Sequence, residues 1–157
     1  MSLETDFAMT RESLKGSQDE STYGGITSFM RRRYTRDLTG VDVAVLGVPF
    51  DLATTNRSGT RLGPRGIRTA SASLAWENQV QGWDFSPLEE LAIVDYGDCP
   101  FDAGTPEKVP EQIYQHAKAI LATDTALLSL GGDHFVSYPL LRAHAEKYGP
   151  LALIHFD

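Results

Sequence analysis

At 157 residues and 41% hydrophobic content, the chain is long enough to bury a real core, and its composition is neither disordered nor fibrous. The formal net charge of −7 argues against a nucleic-acid footprint, and no apolar run approaches the roughly 20 residues needed to span a bilayer. A single cysteine, Cys99, rules out an internal disulfide and fits a reducing cytoplasm.

In chain order, residues 1–40 read as an N-terminal arm. They begin polar, without the apolar stretch of a signal peptide, and include the basic run Arg31, Arg32, Arg33, which reads as a solvated patch or an intersubunit contact. From residue 41 the pattern becomes Val-Asp-Val-Ala-Val-Leu-Gly-Val, nearly continuous and rich in β-branched residues, as in a buried parallel strand. Residues 76–88, with Gly82 and Pro87, read as a long loop, and residues 91–94 as a weaker strand. Val109, Ile113, His116, Ala117 and Ile120 recur at helical spacing. Residues 126–130 form another strand-like run, closed by Gly131 and Gly132. A second helical pattern, Leu140, Leu141, His144, Ala145 and Tyr148, ends at Gly149-Pro150, and residues 151–156 make a last strand-like run before Asp157. Strands alternating with helices predict an α/β fold: three α/β/α layers around a mainly parallel sheet. Residues 41–157 are expected to belong to one domain.

Ligands of open parallel sheets bind beyond the carboxyl ends of the strands. The residues there are Asp51, Asp95 with Asp98, Asp133-His134, and Asp157. Carboxylates and an imidazole at one edge suit a metal such as Mn or Zn, although a single Asp after a strand is more often a helix cap or turn residue. Gly131-Gly132-Asp133-His134 is more informative, because paired glycines permit positive φ and close approach where a crevice should lie. A phosphate loop is its rival, but the chain has neither Gly-x-Gly-x-x-Gly after its first strand nor a Gly-Lys-Ser/Thr ending. His116, His144 and His155 fall inside helix or strand patterns and are set aside as structural. Asp133 either orients His134 or caps the backbone.

Residues 58–68 (Ser-Gly-Thr-Arg-Leu-Gly-Pro-Arg-Gly-Ile-Arg), the Gly131-Gly132-Asp133-His134 run and Leu153-Ile154-His155-Phe156-Asp157 together resemble three ordered motifs of the ureohydrolase (arginase/agmatinase) family. The resemblance covers residues 23–157, and Gly47-Val48-Pro49-Phe50-Asp51 with Ala75-Trp76-Glu77 looks more like its agmatinase branch than like arginase. It implies an arginase-like sheet, here incomplete on its C-terminal side. It further implies that His134 ligates one Mn²⁺ and that Asp157 bridges two, the remaining ligands lying beyond residue 157. The implied activity is manganese-dependent hydrolysis of agmatine to putrescine and urea, a step of polyamine biosynthesis, with a chain ending at Asp157 expected to be inactive. The implied partners are a small cationic guanidino substrate and further copies in a homo-oligomer, with no nucleic acid or membrane. Guanidinobutyrase and other guanidino-acid ureohydrolases share these motifs, and a non-enzymatic fragment is the alternative of another class. A deacetylase of similar architecture fits the motifs less well. No motif residue carries the general-acid role. Pro64 is expected in the first turn of a helix with Gly63 permitting the tight entry, a structural role shared with Arg61.

Overall fold

A computed structural model describes residues 5–17, 19–76, 82–102 and 104–156. Four parallel strands form one sheet: β1 (Arg33–Tyr34), β2 (Val43–Val48), β3 (Ile93–Asp98) and β4 (Ala126–Gly131), in the order β1-β3-β2-β4. β2 is flanked on both sides, which explains its apolar run: Ala44, Val45, Leu46 and Val48 are all fully buried. Its alternate residues serve two layers. Ala44, Leu46 and Val48 pack with Val109, Ile113 and Ile120 of α4 (Val109–Leu121), whereas Val45 packs with Ile93, Leu130, Leu88 of α3 (Pro87–Glu90) and the Phe29–Arg31 turn. α5 (Ser137–Tyr148) joins α4 through Tyr114, Ala117, Leu121 and Ala143. α2 (Gly63–Ser71) lies on the α3 side, its Pro64 against Gly47 of β2, and a short α1 (Phe7–Thr10) precedes them in the chain. The expected α/β/α layering is thus present, with the sheet entirely parallel.

Local chemistry sets the helix ends. Pro110 sits in the first turn of α4, where an N–H would have no helical partner, with Glu111 in that turn and Lys118 in the last to suit the helix dipole. α5 stops at Gly149, whose φ of 80° favours glycine and whose N–H bonds to Ala145 O at 2.9 Å. Pro64 lies in the first turn of α2, as the sequence predicts.

Four expectations need correction. β3 runs on through Asp98, because its later residues pair with Leu46 and Gly47 across a register shift after Val45. Residues 151–156 pair with no strand among the described residues: β4 is the outermost strand of the described sheet, and Ile154 and Phe156 are 82% and 93% exposed. A strand is defined by its pairing, and an apolar run without a partner strand has none to define it. The predicted 76–88 loop is bounded by a turn at Ala72–Trp76 and by α3, with residues 77–81 outside the described set. The basic run is not a solvated patch, since Arg31 and Arg32 are buried. Main-chain carbonyls of Ser21, Thr22, Gly24 and Ile26 accept from the Arg31 guanidinium in place of water, and burial together with the charge of Arg11 brings Arg32 down to about 10. Among the described residues no helix is long and apolar enough to cross a membrane.

Candidate metal centre at the carboxyl edge of the sheet

The carboxylates at this edge are mostly engaged. Asp51, just past β2, accepts from Gly59 N at 2.7 Å and from Arg61 N at 3.2 Å and Nε at 2.7 Å. The Arg61 side chain, then the Gly59 amide, hold its carboxyl down at about 2. Asp95 of β3 is fully buried and meets Arg68 twice, Nε to Oδ2 at 2.7 Å and Nη2 to Oδ1 at 2.9 Å. Asp98 takes the third guanidinium nitrogen, Nη1, at 2.6 Å. Burial alone would lower Arg68, but the hydrogen bonds to Asp95 and Asp98 outweigh it and raise its pKa. The arginines come from residues 58–68, which therefore cross-link the ends of β2 and β3.

The same segment presses on β4. A Cβ placed on Gly63 would lie 2.3 Å from the Gly131 carbonyl oxygen, so only glycine lets α2 enter beside that strand. Gly132, at φ 85°, would bring a Cβ to 2.4 Å from Val48 O. The two glycines bring the chain against β2 and deliver Asp133 and His134 to the edge. Asp133 is buried and caps the turn His134–Val136, its Oδ1 accepting from Phe135 N at 3.0 Å, and its Oδ2 accepts from Ala53 N at 2.8 Å. Of the two roles read from sequence, the capping one is the role that the hydrogen bonds define.

His134 stands apart from these carboxylates. It is exposed, and among the described residues its ring makes no hydrogen bond. It opens onto a cavity of about 430 Å³ between β4, α5 and residues 151–155, where the His155 ring lies 5.0 Å away, centroid to centroid. His155, set aside on sequence, is thus the imidazole nearest to it. Asp157, the other residue singled out as a metal ligand, lies outside the described residues. Among the described residues no three His, Cys, Asp or Glu side chains converge as a metal group. An exposed imidazole is a fitting nitrogen donor for Mn²⁺, and the carboxylates tied to Arg61 and Arg68 are not placed to join it. Sequence reasoning missed Arg68. Its signal was the seven-residue spacing from Arg61, about two helical turns, opposite acids that follow two neighbouring strands.

Residues 41–157, which include β2, β3 and β4, match the model of the arginase family. The chain belongs to the arginase family. Among family members it is 58% identical to an agmatinase of Chromobacterium violaceum over 97% of its length, covering 47% of that protein. It is also similar to a crystal structure of a hypothetical agmatinase from Burkholderia thailandensis, with a TM-score of 0.94 and 57% identity, covering 100% of this chain and 50% of that one. With the proclavaminate amidino hydrolase of Streptomyces clavuligerus the TM-score is 0.71 and the identity 33%, over 84% of this chain and 43% of that one. The chain spans about half the length of the curated arginase-family relatives it matches.

Proposed function

We propose that this chain forms the first portion of a manganese-dependent agmatinase, hydrolysing agmatine to putrescine and urea. The 58% identity to an agmatinase along nearly the whole chain carries the reading. In it, residues 1–40 are an arm, 41–157 begin a single catalytic domain, and His134 with Asp157 would hold manganese. The chemistry expected from bound manganese is Lewis-acid activation of a water molecule for attack on the guanidinium carbon.

The protein's own contribution lies in preorganisation. His134 presents its imidazole from a capped turn at the strand end, and Arg61 and Arg68 fix the Asp51 and Asp95 carboxylates in place by hydrogen bonds. The reading brings with it a small cationic substrate, polyamine synthesis as the setting, and a cytoplasmic homo-oligomer.

The test is urea release by the full-length protein, loaded with Mn²⁺ and offered agmatine, 4-guanidinobutyrate or arginine. Agmatine is expected to give the highest kcat/KM. Turnover of 4-guanidinobutyrate in its place would move the protein to the guanidino-acid hydrolases, and no urea from any of the three would remove the assignment.

A further inference from the structure

We propose that Asp133 is a positioning residue, which ties the loop after β2 to the turn carrying His134, so that metal ligation and order in residues 51–61 are coupled. The inference rests on the reading of His134 as a ligand. Its geometry is that of a staple. The two oxygens of one buried carboxylate point to different segments: Oδ1 to Phe135 N of the His134 turn, and Oδ2 to Ala53 N of the loop, 80 residues away in sequence. The Asp133 amide returns a bond to Phe50 O at 2.8 Å, and Gly132 N reaches Thr60 O at 3.3 Å. The far end of the loop is fixed separately, with Gly59 and Arg61 on Asp51. The loop is thus closed at both ends on carboxylates, one of which also caps the turn that presents the imidazole.

Asp133 makes no hydrogen bond to the His134 ring, so its influence passes through the backbone. Coupling of this kind is reciprocal: if the stapled loop favours the ligating position of His134, ligation must favour the stapled loop. Asparagine at 133 would present an amide N–H₂ to one of the two N–H donors and so oppose one arm of the staple. Serine could still cap the turn but is too short to bridge to Ala53 as well.

The experiment uses the full-length protein as wild type, Asp133→Asn and Asp133→Ser. Mn²⁺ affinity is read from the electron paramagnetic resonance of free Mn²⁺, and hydrogen exchange of residues 51–61 is followed with and without Mn²⁺. In wild type, Mn²⁺ is expected to slow exchange across 51–61. Both variants are expected to bind Mn²⁺ about 10–100-fold more weakly and to lose that protection. If neither variant folds, Ala53→Pro removes the same hydrogen bond from the loop side and should give the same two losses. Variants that bind Mn²⁺ as tightly as wild type, with protection intact, would overturn the proposal while leaving the agmatinase reading standing. A wild type that binds no Mn²⁺ would overturn both.

Discussion

Arg68 holds Asp95 by two parallel hydrogen bonds, from Nε and Nη2, in a pair where the arginine is 8% exposed and the aspartate not at all. Asp95 also accepts from the amides of Phe29 and Gly97, so one carboxylate gathers β3, α2 and the turn before β1. Removing the guanidinium would leave a buried charge with only amide donors. Arg68→Met is therefore expected to lower stability by about 3–5 kcal/mol, measured as a shift in the midpoint of urea unfolding. A shift of under about 1 kcal/mol would show that the amides alone suffice.

Asp51 gives a pH signature. Its carboxyl falls from its ordinary 3.8 to about 2 in the folded chain, through Arg61 first and the Gly59 amide second. A folded-state value below the unfolded one contributes stability that is complete above 3.8 and is lost as pH falls toward 2. Wild type should thus lose unfolding free energy between pH 4 and pH 2. Arg61→Gln should lose less over that window, and equal acid limbs would contradict this assignment.

Two glycines of one helix should respond with opposite sign. Gly63→Ala drives a methyl group into the Gly131 carbonyl and is expected to cost about 1–3 kcal/mol by overpacking. A Cβ at Gly66 meets nothing within 4 Å, and Gly66→Ala, inside α2, should stabilise by about 0.4–1 kcal/mol. Thermal unfolding of the pair decides whether contact or helix propensity governs this segment.

Cys99 is buried in the core against α4, and burial pushes its thiol up to about 12. Thiolate is the reactive form, so Cys99 should resist alkylation at pH 8 in the folded protein and react within minutes in denaturant. Modification at equal rates in both conditions would place it at the surface.

Much of this architecture was legible in the sequence because its signals are local. β2, β4, α4 and α5 follow from apolar runs and helical spacing, and the Gly131 to His134 run marks the sheet edge. What was not legible depended on partners far away in the chain. Residues 151–156 have the composition of a strand but pair with no strand among the described residues, whereas Arg33 and Tyr34 have little strand character yet pair because β3 lies beside them. Arg31 and Arg32 read as surface because charge normally does; the turn of the preceding chain reverses that for Arg31 by bringing the carbonyls of Ser21 and Gly24 to its guanidinium, and Arg32 is buried beside it. At the site, Asp51 and Asp95 were sensible ligand candidates by position, and only the arrival of Arg61 and Arg68 shows that they are taken.

The central place of β2 also sets a timetable. Both of its neighbours, β3 and β4, lie downstream in the chain, so a growing polypeptide carries Val43–Val48 for a long stretch of synthesis with neither edge hydrogen-bonded. The most apolar strand is made before either flanking strand exists, and such surfaces attract other chains while they wait. Synthesis of Ala126–Gly131 is then the earliest moment at which the nascent sheet can close around its own middle, and ribosome pausing before that point would lengthen its vulnerability to aggregation.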